Sequence, residues 1–399
     1  MLNRHNKTRG ITLIELLIAM VISLVLLLGV GTIYFNSKRT YLVQEEFAHM
    51  QESARIAMRF MIEDIRMAGY IGCAWNNNLD YDNFLTGDDP DTGNFLVGLE
   101  GMEATNTGPG DPIDLAAPNA AAWNRALPAF ISNPAAPASG PLPDSDILIV
   151  RYADGNGVKM AVNNNAANLW LDDLGDNSLV GPAGSECHPL TGICEGDILL
   201  ATDCEKSRLF QATGLQGDPK GVKIVHAAAG TPGNTPSSWG GASGQYPEFE
   251  VGDSSIFRAA SYSYYVANNA DGVPSLFREE LRPNSTREEL IEGVENMQIL
   301  YGIDTDKPDA TQTGDGIANR YATADLVTVA TDNVVSARIS LLLATSNAIN
   351  TKSQAAAVAR TYTLAGMTAA TGTTVTAPAD SRLRKVFTTT VKIRNKGLQ

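Results

Sequence analysis

One long run of apolar residues dominates the hydrophobic pattern and lies close to the N-terminus. From Ile11 to Phe35 the only charged residue is Glu15. A run of this length can cross the hydrocarbon core of a bilayer as a helix. The ten residues before it contain three basic residues and no acidic one, which is typical of a cytoplasmic flank. We therefore expect a membrane-spanning helix over residues 11–35, with the rest of the chain outside the cytoplasm.

The helical pattern continues beyond the apolar run. Residues 36–69 contain no proline, and apolar residues recur there at spacings of three and four, which predicts one buried stripe of an amphipathic helix. The stripe comprises Phe47, Met50, Ala54, Ala57, Met61, Ile65 and Ala68. Gly69 is a natural stop for this helix, and Gly29 with Gly31 is the place where we expect a bend or local melting.

After Gly69 the pattern changes to that of a β-rich head. Residues 76–145 are rich in Asn, Asp, Gly, Pro and Ala, which predicts surface loops with a short helix around residues 120–127. Another short helix is expected over residues 286–291. Strands are predicted over residues 147–152, 198–202, 208–212, 223–226, 257–266, 275–281, 294–303, 334–344 and 386–394. No βαβ alternation occurs, so the predicted class is α+β, with the long helix on a mostly antiparallel sheet and long loops.

Composition and charge fit a globular head outside the membrane. The chain has 399 residues, 44% hydrophobic and 19% charged, and a formal net charge of −14. Removing the three basic charges of residues 1–10 would take this value to −17. Such an acidic protein is not expected to bind nucleic acid. The basic C-terminal end is better explained as charges that discourage pairing at a strand edge; it comprises Arg382, Arg384, Lys385, Lys392, Arg394 and Lys396.

Four cysteines lie in the part of the chain placed outside the cytoplasm, where disulfides persist. Four cysteines allow three pairings, and the sequence alone does not choose among them. We favour Cys187–Cys194, which closes a small loop, together with Cys73–Cys204, which would fasten the end of the long helix to the sheet. Zinc is disfavoured because no C-x-x-C motif is present.

One acidic segment has oxygen ligands of the kind that calcium prefers. Asp304, Asp306 and Asp309 alternate with other residues, and Asp315 follows between two glycines. The spacing departs from that of an EF-hand, and no bidentate acid closes the loop. Two interpretations stay open, a Ca²⁺ site and a solvated acidic turn; no other cofactor is expected.

Catalysis has almost no support in the sequence. Only four histidines occur, His5, His49, His188 and His226, and none belongs to a metalloprotease motif. No nucleophile elbow, P-loop or dinucleotide-binding motif is present either. We therefore expect a protein that is not an enzyme.

The single acid in the apolar run carries the most information about function. A carboxylate inside a membrane span costs about 2.5–3.5 kcal/mol on insertion scales, which an ordinary anchor leaves unexplained. The run is also too long for the core of a cleaved secretory signal. The segment Gly10-Ile11-Thr12-Leu13-Ile14-Glu15 resembles the class III signal of type IV prepilins and pseudopilins. Most members have Phe where this chain has Ile11.

This resemblance implies cleavage after Gly10 by a prepilin peptidase, methylation of the new N-terminus at Ile11, and Glu15 as the fifth mature residue. The freed amine is mostly protonated at neutral pH. An amine and a carboxylate beside hydrocarbon are each costly alone and offset one another when paired. Pairing between the Glu15 of one subunit and the amine of the next would then set the register of a polymer. The alternative is a snorkelling or protonated Glu15 with no partner.

Later stretches are similar to the PilW group of minor pilins. They are residues 65–73, 146–152, 196–204, 291–304 and 384–395, under half of the chain. The resemblance implies a leader over residues 1–10, a membrane or filament-core helix over 11–35, an amphipathic helix over 36–69 and a periplasmic head over 70–399. It also implies a protein of the inner membrane that later enters the pilus, at or near its tip.

The partners implied are other minor pilins, the major pilin, a large tip adhesin, the prepilin peptidase, the inner-membrane assembly platform and membrane lipid. The implied role is in the complex that primes type IV pilus assembly. Two alternatives remain. One is the equivalent minor pseudopilin of a type II secretion system, and the other is a membrane-anchored periplasmic enzyme or binding module.

Overall fold

The computed structural model places the chain in two compact units, Met1–Glu52 and Ser53–Gln399. It describes residues 11–73, 80–87, 93–128, 131, 140–165, 168–237, 239, 246–280, 287–306, 314–328, 332–346, 348, 359–366, 368 and 370–394. The side chains of residues 163–165 are outside this description.

The N-terminal helix α1 runs over Leu13–Met67. It stays helical through Gly29 and Gly31, so the expected local melting is wrong: the helix tolerates both glycines because each costs only about 1 kcal/mol. The predicted stop is correct. Gly69 adopts φ +72°, and a Cβ on the facing Gly98 would lie 2.0 Å from the Gly69 nitrogen. Only glycine allows the chain to leave the helix in this way.

The described part of the head contains eighteen strands. They are β1 (Asp80–Asn83), β2 (Leu99–Met102), β3 (Pro112–Asp114), β4 (Ile147–Asn165), β5 (Asn168–Leu171), β6 (Ile198–Thr202), β7 (Lys206–Gln211), β8 (Gly214–Asp218), β9 (Gly221–Val225), β10 (Ser255–Asn268), β11 (Pro274–Glu280), β12 (Arg287–Glu292), β13 (Val294–Asp304), β14 (Arg320–Ala322), β15 (Asn333–Ala344), β16 (Arg360–Leu364), β17 (Thr373–Ala377) and β18 (Arg384–Lys392).

Strands β4 and β10 form the centre of the first sheet. Its main order is β1-β7-β6-β10-β4-β5-β9-β8, with β11 and β12 extending from β10 and β2 pairing with β4. The first half of β10 pairs with β6 and its second half with β11, while β4 runs antiparallel along the other edge. A second sheet has the order β14-β13-β15-β18, and a third, small sheet has the order β16-β17-β3.

The last turns of α1 pack on the β4–β10 face of the first sheet. Ala57, Met61 and Ile65 are fully buried, as the predicted stripe requires. Buried among them, Asp64 accepts hydrogen bonds from the Tyr152 hydroxyl of β4, at 2.8 Å, and from the Tyr264 hydroxyl of β10. One carboxylate therefore fixes the helix to two neighbouring strands. Burial raises the pKa of Asp64, and the two tyrosine hydroxyls oppose that rise.

The first and second sheets meet at β13, all of whose residues are buried. Asp146, directly before β4, joins the two layers because its carboxylate accepts the backbone N–H groups of Ala104, at 3.1 Å, and Ile299, at 2.8 Å. Ala104 follows β2 of the first sheet, and Ile299 lies in β13 of the second. The backbone takes part as well, because the Asp146 N–H donates to the Met297 carbonyl of β13 at 2.9 Å.

Most predicted strands agree with the structure within a few residues, and the α+β class with a mostly antiparallel head is confirmed. Residues 198–202 are exact, and the hairpin of β10 and β11 turns at residues 268–272 as expected. Two strand pairs are parallel and depart from the antiparallel arrangement, β1 with β7 and β17 with β3.

Two predicted helices are wrong. Residues 120–127 are not helical; Trp123 instead bridges to Ala104, and its indole N–H donates to the Ser145 carbonyl at 3.0 Å. In the described part of 286–291 the chain forms β12, whose Glu288 pairs with Arg278 of β11 at 2.7 Å. The expectation of loops over 76–145 also missed the short strands β1, β2 and β3.

Candidate functional site

The N-terminal end of α1 is organised around Thr12 and Glu15. One Glu15 carboxylate oxygen accepts both the Thr12 backbone N–H, at 3.0 Å, and the Thr12 hydroxyl, at 2.9 Å. The Glu15 N–H lies 3.4 Å from the same hydroxyl oxygen. This reciprocal arrangement is a capping box, in which two side chains satisfy backbone groups that the first helical turn leaves unpaired.

The capping box gives Glu15 a partner within its own chain. The T-x-x-E spacing that signals this capping box is present in the sequence, but charge and hydropathy alone do not indicate it. Ile11 is exposed beside this cap, whereas Gly10 lies outside the described residues. The geometry therefore places the Glu15 carboxylate next to the backbone that cleavage after Gly10 would turn into a chain terminus.

The first half of α1 exposes its apolar side chains. Each large apolar residue from Ile11 to Phe35 is at least 49% exposed. By length and composition, α1 includes a stretch able to cross a membrane. An exposed apolar surface of this extent requires a covering, either lipid or other protein.

Two disulfides join the cysteines in the pairs favoured from the sequence. Cys73, just after α1, bonds to Cys204 between β6 and β7, across 131 positions. Cys187 bonds to Cys194 and closes a small loop. His188 belongs to this loop; its ring nitrogens contact the Thr191 hydroxyl at 2.9 Å and the Asp176 carbonyl at 2.6 Å. These contacts make His188 a structural residue.

Three of the four acids proposed for calcium lie close together. Carboxylate oxygens of Asp304, Asp306 and Asp315 lie within 4.8 Å of one another, whereas Asp309 is outside the described residues. The same carboxylates also hold the turn. Asp304 accepts the N–H groups of Gly316, at 2.9 Å, and Asp306, at 3.1 Å. The arrangement offers oxygen ligands to a cation and also satisfies the backbone of an acidic turn.

The other histidine of the head has no catalytic setting. His226 is fully buried and stacks on Trp239, with ring centroids 4.3 Å apart. Burial lowers the pKa of His226 to about 4, so the ring is neutral at physiological pH. Among the described residues, the cluster around Asp304 is the only group of metal-ligating side chains close enough to share an ion.

Two family models match the chain, one at each end. The model of the prokaryotic N-terminal methylation motif matches residues 5–31, which include the capping box. The model described as type IV pilus-assembly protein W, PilW, matches residues 263–395. The chain matches a PilW-type type IV pilin with a class III signal. No curated protein and no solved structure matches it.

The PilW match has a clear structural counterpart. It spans one third of the chain and contains the whole second sheet, β14-β13-β15-β18, as well as β11 and β12. Residues 32–262, with most of the first sheet, lie between the two matches. The PilW match thus includes the buried strand β13, where the second sheet meets the first.

Two of the basic residues at this end of the chain are engaged in ion pairs, which the sequence interpretation of edge charges did not include. Arg384 is 8% exposed, and its guanidinium binds Glu295 at 2.6 Å and Asp380 at 2.6 Å. Arg382 also contacts Glu295, at 3.0 Å. These two arginines tie the start of β18 to Glu295 of β13, across the intervening strand β15. In the described sheet β18 is the edge strand, and its Lys385 and Lys392 are exposed there. Lys396 lies outside the described residues.

Proposed function

We propose that this protein is a minor pilin that is cleaved after Gly10, methylated on Ile11 and incorporated into the complex that primes type IV pilus assembly. The observation that carries the proposal is a lone carboxylate, Glu15, held at the start of an exposed apolar helix inside the matched methylation motif. A helix that only anchors a protein in the membrane does not need an acidic residue at this position.

The capping box suggests how Glu15 acts before and after assembly. In the single chain, Thr12 satisfies the carboxylate. Cleavage adds a protonated amine at Ile11, one residue away. In a stack of subunits, the amine of a neighbouring chain would compete for the same carboxylate, and the charged pair is worth more than the neutral hydrogen bonds it replaces. The Glu15 carboxylate would thus keep its hydrogen bonds to Thr12 until the amine of a neighbouring subunit replaces them.

Size supports a rare position near the tip. A head of about 330 residues has an expected radius of gyration of about 20 Å, which is bulky for a subunit repeated at each step of a thin fibre. The partners we propose are other minor pilins, the major pilin, a large tip adhesin, the prepilin peptidase and the inner-membrane assembly platform. The head would be periplasmic until the protein enters the pilus.

Three variants separate the charge of Glu15 from its capping role. Glu15→Gln keeps a capping box, since Gln serves at that position, but removes the charge. Thr12→Ala removes the cap partner and keeps the charge, and Glu15→Ala removes both. We expect all three to be inserted and cleaved. Both Glu15 variants should enter pili about tenfold less, or worse, because a charge-assisted pair is lost, and Thr12→Ala should enter nearly normally.

The opposite ranking would reject the register role. If Glu15→Gln enters pili like the wild type while Thr12→Ala fails, Glu15 acts only as a helix cap. Processing is tested separately by a charged residue at position 10, as in Gly10→Asp. This variant should accumulate uncleaved, and mature protein of normal size would refute the cleavage site.

A gene deletion distinguishes the two assembly systems. A minor pilin predicts loss of twitching motility, whereas the minor pseudopilin alternative predicts loss of exoprotein secretion. A membrane-anchored periplasmic enzyme or binding module would instead keep its N-terminus uncleaved and work as an isolated head. The proposal of an assembly protein, and not an enzyme, is supported by the two family matches.

Calcium at the loop of Asp304, Asp306 and Asp315 stays a prediction. If the loop is a Ca²⁺ site, about 1 mM calcium should raise the unfolding temperature of the wild type and not that of Asp304→Asn. Equal responses of the two proteins would leave the acidic turn as the explanation.

A further inference from the structure

A small cavity opens where the first sheet, β13 and the turn Ala324–Leu326 meet. Its volume is about 210 Å³. Its walls combine apolar and ionisable side chains: Leu99, Glu100, Gly101, Asn124, Arg125, Tyr301, Ala324, Asp325 and Val327. Neither the methylation motif nor the calcium loop includes any of these residues.

The hydroxyl of Tyr301 is the unusual group in this cavity. Tyr301 is only 2% exposed, and no hydrogen-bond partner for its hydroxyl is found among the described residues. The hydroxyl oxygen lies against the backbone of Gly101, where a Cβ would come within 1.9 Å of it. A buried hydroxyl without a partner is costly, so its position in a cavity wall points to a ligand that completes it.

Carboxyl groups outnumber guanidinium groups around this hydroxyl. Glu100 is neutralised by Arg125, at 3.2 Å, and Arg151, at 2.9 Å. Three further carboxyls have no such ion pair within the described residues: Glu103, Asp146 and Asp325. Glu103 and Asp146 are buried behind the wall, and each acts electrostatically on Tyr301. Asp325 is exposed and lies at the cavity lining.

The Glu103 carboxylate is tied directly to the wall. One of its oxygens accepts the backbone N–H of Ala324 at 3.3 Å, and the other lies 3.4 Å from the Thr107 hydroxyl. Burial, and then the charge of Asp146, raises the pKa of Glu103. Its pKa of about 10 means that Glu103 holds its proton at neutral pH, and a positive charge in the cavity would favour release of that proton.

We propose that this cavity binds an organic cation, an ammonium or guanidinium group on a short alkyl chain. The charged head would donate to the Tyr301 oxygen and face the carboxyl of Asp325, with Glu103 buried behind the wall. The alkyl chain would lie along Leu99, Ala324 and Val327, as lysine and arginine stems lie on apolar surfaces. A bare metal ion fits less well, because the cavity is larger than one ion and its carboxylates form no metal-ligand cluster within the described residues.

Binding is tested on the full-length mature protein in detergent. Propylguanidinium and propylammonium chloride are titrated by calorimetry, against sodium chloride at equal ionic strength. The ¹³Cζ signal of Tyr301 is followed in parallel. We expect one saturable site that shifts this signal. Tyr301→Phe, which removes only the hydroxyl, should weaken binding about tenfold.

Two further variants guard against indirect effects. Ala324→Leu fills the cavity and leaves the backbone N–H that Glu103 accepts, so binding should be lost in a folded protein. Glu292→Gln removes an exposed carboxylate at the end of β12, outside the cavity, and should bind like the wild type. Affinity should also rise with pH, because the cation competes with the protons held by the buried carboxyls.

Three outcomes would overturn the proposal. They are the absence of saturable binding, equal binding by Ala324→Leu, and binding of Ca²⁺ alone. If binding is found, the incorporation of Ala324→Leu into pili distinguishes two sources of the cation. This comparison rests on the proposed function. Loss of incorporation assigns the cation to a side chain of a neighbouring subunit, and normal incorporation assigns it to a free small molecule.

Discussion

Buried carboxyl groups join the main structural elements of this protein. Asp64 fixes α1 to β4 and β10, Asp146 joins the two sheets, and Glu295 anchors the start of β18 through two arginines. Each accepts donors from elements distant in sequence. Such groups give a unique arrangement of layers that apolar packing alone specifies less strictly.

Asp64 and its neighbour Glu63 offer a direct comparison. Asp64→Ala leaves two buried tyrosine hydroxyls without their acceptor, so we expect a loss of about 2–4 kcal/mol in the free energy of unfolding. Glu63 forms an exposed pair with Arg59, and Glu63→Ala should cost less than about 0.5 kcal/mol. Denaturant unfolding measures both. Equal losses would mean that the tyrosine contacts do not hold the helix.

The pair of Glu103 and Asp146 predicts a pH dependence of stability. The ordinary pKa of a glutamate, 4.5, is raised here, so the unfolded chain releases this proton first as pH rises. The stability held by the protonated form is therefore complete below about pH 4.5 and declines at higher pH. Glu103→Gln should remove the part of this decline that Glu103 contributes and stabilise the protein at pH 8 by at least about 1 kcal/mol, while the raised pKa of Asp146 keeps a smaller decline.

The contrasting variant is Glu100→Gln. Glu100 pairs with two arginines, so its neutralisation should destabilise the protein at the same pH. Thermal unfolding between pH 5 and pH 8 compares the two variants. A loss of stability in Glu103→Gln at pH 8 would show that this carboxyl is ionised and held by donors.

At the scale of elements, the predictions that proved correct concern features that a local residue pattern determines. The helix, its stop at Gly69 and the strands with continuous apolar runs were readable, because burial on one face imposes a period. Strand β12 could not be predicted in this way, because its sequence, Arg-Glu-Glu-Leu-Ile-Glu, has helical preference. It becomes a strand because β11 supplies an edge with which it pairs. Short strands such as β3 are likewise set by distant partners.

The candidate sites show the same division. The capping box at Thr12 and Glu15 is local, and its spacing is visible in the sequence. The cavity at Tyr301 joins residues from positions near 100, 125, 301 and 325, and no sequence spacing indicates it. In the sequence, nothing distinguishes Tyr301 from the other residues of a predicted strand.

The two disulfides should contribute unequally to stability. The chain-entropy estimate rises with the length of the closed loop, giving about 5 kcal/mol for Cys73–Cys204 and about 2.5 kcal/mol for Cys187–Cys194. Double Cys→Ser variants of each pair, unfolded without reductant, test this order. If removal of the short bridge costs more, the Cys187 loop has a structural role beyond chain entropy.

At the scale of the whole molecule, the family signatures lie at the two ends of the chain. The methylation motif covers the start of α1, and the PilW match covers the second sheet. The first sheet between them is linked to both: Asp64 holds α1 on it, and Asp146 holds the PilW domain against it.

The most direct test of this account is the mass of the N-terminal peptide of the protein recovered from pili. We predict a chain that begins at Ile11 and carries one added methyl group on its amine. Such an end supplies the positive charge that Glu15 is proposed to bind. A peptide that still begins at Met1 would contradict the account, because no amine would then lie beside the carboxylate.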